Sequence, residues 1–214
     1  MKDNCIIVIG RQFGSGGRRI GRLVAASLGF DYYDSELLSQ AAESLGFDKD
    51  IFLKHDERKP STLRTVMQGL YGIADNFHPV SLGGERIYAE QRRIIQEICK
   101  DRSCVIVGRT ADYILRKHPA LFSVFLHSPL EKRAQVVLKR GEAATLKEAM
   151  ELARTRDKER ESYYNYFTGE GKWGKAANYH LSIETSALDD DTIAELILTA
   201  VKSRYPHLNN RITI

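Results

Sequence analysis

Short apolar runs alternate with longer amphipathic stretches along the chain, and this alternation predicts an α/β fold. The first run covers residues 5–9, whose side chains are β-branched or small without polar interruption, as a strand buried on both faces requires. A glycine-rich turn follows it. A helix then carries apolar side chains at i, i+3, i+4, i+7 and i+8 and ends before Gly29. We expect this strand, turn and helix to organise the rest of the chain.

Further strands and helices follow in the same alternating order. Four more strands are predicted over residues 30–34, 103–107, 121–126 and 179–184. Helices are predicted over residues 35–46, 85–100, 110–117, 129–140, 145–166 and 192–204, with Ser35 as one cap and Thr145 with Glu148 as a capping box. Such an alternation predicts a parallel sheet covered by helices on both faces, with ligands at the carboxyl ends of the strands.

Two segments depart from this pattern. Residues 47–84 lack a clear period apart from a predicted helix over 62–73, and we interpret them as an insertion. Residues 168–174 hold three glycines in seven positions, which predicts a flexible turn. The length of 214 residues with 43% hydrophobic content fits a single domain over residues 1–214.

Charge and cysteine content narrow the class of partner. The net charge of +4 is too small to indicate nucleic acid without a concentrated basic patch, so we expect small anionic molecules and no nucleic-acid partner. The three cysteines form an odd set without C-x-x-C spacing, which predicts reduced, buried thiols. No apolar stretch has the length of a signal peptide or a membrane span, so we expect a cytoplasmic protein without membrane contact. The sequence does not indicate an oligomeric state.

The glycine turn is the strongest candidate for a binding site. Backbone N–H groups in such a turn converge on one point, where the dipole of the following helix adds positive charge. Arg11, Arg18 and Arg19 add side-chain charge beside it. The turn is therefore predicted to bind a phosphate, through Gly14, Ser15, Gly16, Gly17, Arg18 and Arg19.

Two phosphate-loop patterns compete for this turn. The pattern G-x-x-x-x-G-K-[ST] fails at the lysine, because that position holds Gly17 when counted from Gly16 and Arg18 when counted from Gly17. The spacing of Gly10, Gly14 and Gly16 instead resembles that of short-chain dehydrogenases. An NAD(P)-dependent dehydrogenase is therefore one alternative function.

Other residues bear on the dehydrogenase alternative. Asp34 lies where a ribose-binding acid would follow the first strand and helix, and Tyr113 with Lys117 spells the Y-x-x-x-K pair of that family. That pair comes too early in the chain, and neither the catalytic serine nor the N-N-A-G phrase is in place. Tyr113 is more simply explained as part of a surface helix.

Four phrases together resemble a known family. They lie at residues 11–17, 32–34, 107–115 and 156–160. On these phrases the chain resembles the cytidylate kinase-like members of the P-loop nucleoside monophosphate kinases over nearly its whole length. The resemblance implies ATP-dependent phosphoryl transfer to a nucleoside monophosphate, CMP or dCMP. It also implies a three-layer P-loop kinase fold with a five-stranded parallel sheet, a helical insertion at 47–84 on the acceptor side and a mobile lid at 145–175.

The resemblance also implies roles for individual residues. Arg109 would hold the acceptor phosphate, although Thr110 replaces the acid that follows it in the family. Asp34 and Ser35 would begin the acceptor helix, although Gln40 replaces the family's arginine. The remaining assignments are Arg18 as a substitute for the missing lysine and the lid residues Arg156, Asp157 and Arg160, which match the pattern R-D-x-x-R, as catalytic groups.

Cofactor requirements follow from the same resemblance. ATP would be the phosphoryl donor, and Mg²⁺ would be held by phosphates and waters, with Asp34 as the candidate side chain and no dedicated protein metal site. Because the P-loop lysine is missing, a nucleotide-binding protein without catalytic activity is a second alternative.

Overall fold

The computed structural model describes residues 4–44, 82–169 and 172–210. The strands in these ranges are β1 (Ile6–Arg11), β2 (Asp31–Tyr33), β3 (Cys104–Val107), β4 (Leu121–His127) and β5 (Leu181–Glu184). The helices are α1 (Gly17–Leu28), α2 (Ser35–Ser44), α3 (Leu82–Ile98), α4 (Ala111–Ile114), α5 (Leu130–Lys139), α6 (Leu146–Thr168) and α7 (Asp190–Arg204), with short 3₁₀ helices at Ala176–Asn178 and Pro206–Asn210. None of the helices in the described ranges is long and apolar enough to cross a membrane.

The strands form one five-stranded parallel sheet in the order β2-β3-β1-β4-β5. This confirms the predicted sheet. Strands β2 and β3 lie on one side of β1, and β4 and β5 lie on the other. In an open α/β sheet, ligands bind in the crevice at the point where the chain changes sides in this way. In the dinucleotide-binding order the second strand lies next to the first, whereas here β3 separates β2 from β1. The fold therefore does not support the dehydrogenase alternative.

The core forms two apolar layers because side chains of β1 alternate between the two faces of the sheet. Ile7 and Ile9 pack on one face with α1 and α7. Ile6 and Val8 pack on the other face with α2, α3 and α4. Helix-covered faces on both sides give the predicted three-layer fold.

Helices α5 and α6 pack together beside the sheet through Ala134, Val137 and Ala149. Helix α6 begins at the predicted capping box, in which Thr145 accepts from the Glu148 backbone and Glu148 accepts from the Thr145 backbone. It continues for 23 residues and ends at Gly169, whose φ of 69° stops the helix. This length brings the end of α6 to the carboxyl edge of the sheet, above β1 and β3.

Several predicted boundaries were wrong. The cap of α2 is Asp34, not Ser35, because the Asp34 carboxylate accepts from the Glu36 and Leu37 N–H groups. The helix predicted at 110–117 covers only Ala111–Ile114. Part of the predicted flexible turn is packed, since the Trp173 ring lies 5.4 Å from the Phe125 ring. The predicted helix at 62–73 and most of the insertion lie outside the described residues.

Candidate active site

The turn between β1 and α1 has the backbone of an anion site. Gly14 and Gly16 have φ values of 83° and 88°, a left-handed conformation that favours glycine. Gly16 is the N-cap of α1, it supplies no side-chain cap, and the first turn contains no acidic residue. The first N–H groups of a helix lack intrahelical partners and carry the positive end of its dipole, so this end of α1 is suited to bind phosphate.

Ser15 holds the turn against the sheet. Its hydroxyl is buried and donates to the Gln12 carbonyl at 2.9 Å and to the Leu126 carbonyl of β4 at 3.2 Å. Gly14 lies against α5, since a Cβ there would be 2.8 Å from the Arg133 carbonyl oxygen. The Ser15 side chain therefore fixes the turn, and the predicted phosphate contact of Ser15 would have to come from its backbone.

A buried ion pair also holds the turn. Arg133 and Asp157 are 2.7 Å apart, with side chains 6% and 13% exposed. Asp157 accepts from the Phe13 N–H at 2.7 Å, and Arg133 donates to the Phe13 carbonyl at 3.0 Å. Burial raises the pKa of the Asp157 carboxyl, and the Phe13 N–H and Arg133 oppose that rise. The pair ties α5 and α6 to the turn, so the contacts of the predicted catalytic Asp157 are those of a positioning residue.

The two arginines of the first turn of α1 point to other elements. Arg19 forms a two-point ion pair with Asp190 of α7, at 2.7 and 3.1 Å. Arg18 is exposed and donates to the Ser35 hydroxyl at 3.5 Å. The structure thus brings predicted residues Arg18 and Ser35 together, and it places Arg19 toward α7.

Asp34 does not fit the predicted contact with magnesium. One carboxylate oxygen caps α2, and the other lies 3.4 Å from Arg22 and 3.5 Å from the Tyr32 hydroxyl. Burial raises the pKa of Tyr32 to about 12, with Asp34 adding to the rise. Among the described residues no group of three or more His, Cys, Asp or Glu side chains could hold a metal ion.

The end of β3 has an unusual backbone. Gly108, Arg109 and Thr110 have consecutive φ values of 81°, 62° and 52°. Non-glycine residues rarely adopt this conformation, and such strain is concentrated at functional sites. The turn buries Arg109 to 2% exposure, and the Thr110 hydroxyl donates to the Arg109 carbonyl at 2.6 Å. The strained turn therefore places the predicted Arg109 inside the protein, at the carboxyl edge of the sheet.

A narrow crevice lies between the ends of β1 and β3. Its cavity volume is about 20 Å³, which holds a single water molecule. Arginines reach it from three elements: Arg11 from β1, Arg109 from the end of β3 and Arg160 from α6. The other lining residues are Gly10, Gly108, Thr110, Asp112, Tyr163, Tyr164, Trp173 and Tyr179. Three cations at the switch point of a parallel sheet form a site for a polyanion.

The two arginines of α6 that were predicted to be catalytic have different surroundings. Arg160 lines the crevice, and its guanidinium carbon lies 5.3 Å from the centre of the Phe13 ring in the glycine turn. Arg156 instead pairs with Glu159 at 3.1 Å, one turn along the same helix. Although the two arginines are four positions apart, only Arg160 is a lining residue of the crevice.

Polar and aromatic contacts close the crevice from the α6 side. The Tyr164 hydroxyl donates to Asp112 at 2.9 Å, and the Tyr163 hydroxyl donates to Gln91 at 2.9 Å. Burial of Asp112 raises the pKa of its carboxyl to about 6. The Tyr88 ring stacks on Phe167 with ring centres 4.1 Å apart. These contacts hold the C-terminal part of α6 against α3 and α4 beside the crevice.

Three residues of this site were missing from the predicted set. Arg133 looks like a surface charge in an amphipathic helix, and its partner Asp157 lies 24 positions away. Asp112 lies within the phrase at residues 107–115, two positions beyond Thr110, where the family has its acid. Arg11 was noted only as added charge, although its place directly after an apolar strand parallels that of Arg109. This similarity to Arg109 is the sequence signal that could have identified Arg11 as a site residue.

Solved structures define the class of fold. An uncharacterized protein from Eubacterium ventriosum has a TM-score of 0.71 and 26% identity, over 94% of this chain and 100% of that chain. A gluconokinase from Sinorhizobium meliloti has a TM-score of 0.53 and 16% identity, over 100% of both chains. A shikimate kinase from Acinetobacter baumannii has a TM-score of 0.50 and 16% identity, over 94% of both. The fold is therefore that of the P-loop kinases.

The sequence comparisons identify the family within this fold. The model described as "Cytidylate kinase-like family" matches residues 6–187, and the chain belongs to that family. A cytidylate kinase from Thermococcus sibiricus is 24% identical over 209 residues, which cover 96% of this chain and 93% of that protein. The predicted resemblance is confirmed. Family and fold together support phosphoryl transfer.

Proposed function

We propose that the protein transfers the γ-phosphoryl group of ATP to the phosphate of a nucleoside monophosphate, with CMP or dCMP as the acceptor. The main support is the crevice between β1 and β3, where Arg11, Arg109 and Arg160 converge beside the uncapped start of α1. In the reaction an acceptor phosphate oxygen bonds to the γ-phosphorus while the bond from that phosphorus to the bridging oxygen of ADP breaks. Positioning and neutralisation of charge are the main tasks of a protein in such a transfer.

The glycine turn binds the donor in this proposal. The N–H groups at the start of α1 and the backbone of Gly14, Ser15, Gly16 and Gly17 bind donor phosphates. The buried Arg133–Asp157 pair keeps that backbone in place before a ligand arrives. Magnesium enters on the phosphates of ATP, because the carboxylate oxygens of Asp34 already cap α2 and contact Arg22.

The acceptor binds on the β3 side. Arg109 holds its phosphate through charge-assisted hydrogen bonds, from a backbone fixed by the positive φ values of residues 108–110. Arg160 neutralises charge on the transferring group from α6. An interaction that strengthens as charge develops lowers the barrier more than it tightens binding.

Acceptor entry requires the crevice to open. Its volume of about 20 Å³ is far below the ~300 Å³ that ligand pockets usually occupy. Tyr163, Tyr164 and Trp173 line this narrow space, so we propose that residues 145–175 act as a lid whose C-terminal part moves away to admit the acceptor. Its return would bring Arg160 back over the phosphates and exclude water.

An acceptor screen tests the proposed function. ADP formation is measured with ATP and magnesium in the presence of each nucleoside monophosphate, and then with small sugar and carboxylate acceptors. The proposal expects acceptor-dependent ADP formation with CMP or dCMP. Turnover with a non-nucleotide acceptor alone would reject the nucleotide assignment but keep phosphoryl transfer.

Nucleotide binding without turnover is the second candidate. It is favoured by the glycine at the lysine position and by the closed crevice. Tight ATP binding by calorimetry, without ADP formation for any acceptor, would establish this alternative.

A further inference from the structure

The Arg11 side chain connects the donor and acceptor sides of the crevice. A Cβ on Gly17 would lie 2.9 Å from Arg11 Cγ and 3.0 Å from Arg11 Cβ, so the side chain begins against the first residue of α1. A Cβ on Gly108 would lie 2.7 Å from Arg11 Cζ, so the guanidinium ends over the β3 turn. A side chain at residue 17 would meet the stem of Arg11, and a side chain at residue 108 would displace its guanidinium. Arg11 therefore crosses the crevice from the glycine turn to the turn that holds Arg109.

The glycine that Arg11 covers is the position of the missing lysine. When Gly16 is taken as the second glycine of G-x-x-x-x-G-K-[ST], Arg11 takes the place of the first glycine and Gly17 takes the place of the lysine. The chain thus has a cation where the pattern has glycine, and glycine where the pattern has a cation. The two replacements depend on each other in the structure. The Arg11 side chain occupies the space that the first carbons of a lysine at residue 17 would need.

We propose that Arg11 supplies the cation of the absent lysine and contacts the phosphoryl group during its transfer, an inference that rests on the proposed function. Its guanidinium lies in the crevice with Arg109 and Arg160, between the donor turn and the acceptor arginine. A guanidinium can bind two phosphate oxygens at once, so one side chain can bridge donor and acceptor groups.

The other arginines of the turn are placed less favourably for this role. Arg19 is held by both oxygens of Asp190, and its direction is toward α7. Arg18, the substitute predicted from the sequence, is exposed and contacts Ser35 at the start of α2. Neither is among the residues that line the crevice.

An exchange of the two positions tests the inference. The variants are Arg11→Met, which keeps an unbranched apolar stem but removes the guanidinium, Gly17→Lys, and the double variant Arg11→Gly with Gly17→Lys, which keeps the net charge. Arg154→Met is the matched control, because Arg154 is an exposed arginine paired with Glu151 on α6. Calorimetry measures binding of ATP and of inorganic tripolyphosphate, ADP formation measures turnover, and thermal melting checks folding.

Each of the four variants has an expected result. Arg11→Met should weaken binding of both triphosphates about 10- to 100-fold, the effect of losing a charge-assisted contact, in a protein that thermal melting shows to be folded. Gly17→Lys alone should also weaken binding, because its side chain meets Arg11. The double variant should bind within several-fold of the unmodified protein and recover turnover lost in Arg11→Met, and Arg154→Met should bind and turn over as the unmodified protein does.

The outcomes separate the inference from the function on which it rests. If the unmodified protein neither binds ATP nor turns it over, the proposed function fails and the inference fails with it. If the unmodified protein binds and turns over ATP but Arg11→Met does so equally well, only the role of Arg11 is rejected. The role of Arg11 is also rejected if the double variant folds but binds triphosphate and turns it over no better than Arg11→Met does. If the double variant does not fold, the comparison of Arg11→Met with Arg154→Met tests the role of Arg11.

Discussion

The proposed donor and acceptor sides of the crevice are held by different kinds of contact. On the donor side, buried side chains support the glycine turn from behind: Ser15 bonds to β4, and Arg133 with Asp157 bonds to Phe13. These groups leave the start of α1 without a side-chain cap. On the proposed acceptor side, Tyr163 and Tyr164 instead line the crevice itself, and they donate to Gln91 and Asp112.

We infer from this difference that the donor site is preformed, whereas the acceptor site has to open. The contacts that hold the glycine turn do not have to break when a ligand binds, so they do not reduce the free energy of binding. Tyrosines inside the crevice must move before an acceptor can enter, which links acceptor binding to the position of α6. We therefore expect ATP to bind without rearrangement, and the acceptor to bind with movement of the end of α6 and of Trp173.

The largest effect should come from the buried pair behind the donor turn. Arg133→Met leaves the Asp157 carboxylate buried without its partner, so we expect about 3 to 5 kcal/mol less stability toward unfolding. Urea unfolding measures this loss. The matched control is Arg154→Met, which removes an exposed arginine from its pair with Glu151 and should cost well under about 1 kcal/mol. Equal losses in both variants would mean that Arg133 does not brace the turn.

The second effect compares the two arginines of α6 that were predicted to be catalytic. Arg160→Met should lower kcat roughly a thousandfold with a smaller change in KM, because Arg160 lines the crevice and meets charge that develops during transfer. Arg156→Met should stay within a few-fold, because Arg156 pairs with Glu159. Steady-state kinetics and melting temperatures of both variants check this. Equal kcat losses would restore the prediction that both act in catalysis.

The third effect is a pH dependence on the acceptor side. Burial raises the pKa of Asp112 to about 6, so the folded protein binds this proton more tightly than the unfolded chain does. The stability that the proton contributes is present below about pH 4 and is lost as the pH rises through 6. Asp112→Asn keeps an oxygen acceptor for Tyr164 and has no charge to bury, so its stability relative to the unmodified protein should rise by about 3 kcal/mol between about pH 4 and pH 7.

Urea unfolding across this pH range measures the Asp112 effect. Glu195→Gln, at an exposed position of α7, is the control for the general effect of replacing a carboxylate by an amide. A stability difference for Asp112→Asn that does not change with pH would contradict the raised pKa.

The smallest effect should be a change in acceptor binding without a matching change in ATP binding. Arg109→Met should raise the acceptor KM by a factor equivalent to about 1.5 to 3 kcal/mol, the size of a charge-assisted contact. ATP affinity should change little, because the start of α1 is held by separate contacts. The KM values of both substrates check this, and a loss confined to ATP would place Arg109 on the donor side.

The sequence predicted what depends on local pattern. The apolar run after Asn4, the glycine turn and the Thr145 capping box each lie within a few residues, so their period or spacing shows directly which element they form. The ends of β1 and β3 were also predictable as site positions, because parallel strands place their carboxyl ends at one edge of a sheet.

The roles of single side chains were less predictable because they depend on distant partners. Asp157 looked catalytic between two arginines, yet its contacts come from Phe13, 144 positions away, and from Arg133. The left-handed backbone of Arg109 and Thr110 has no signal in residue type, since arginine and threonine seldom adopt it. The covering of Gly17 by Arg11 is likewise visible only once β1 and α1 are placed together.

Fluorescence of Trp173 tests the central contrast most directly. It is the one tryptophan of the chain, it lines the crevice, and its ring lies 5.4 Å from Phe125, so its emission reports on the acceptor side. The protein is titrated with ATP and magnesium, and separately with CMP or with the acceptor that the screen identifies. We predict a saturable change in emission with the acceptor and almost none with ATP. A full change with ATP alone, or acceptor turnover without any change in emission, would contradict the account of a ready donor side and an acceptor side that opens.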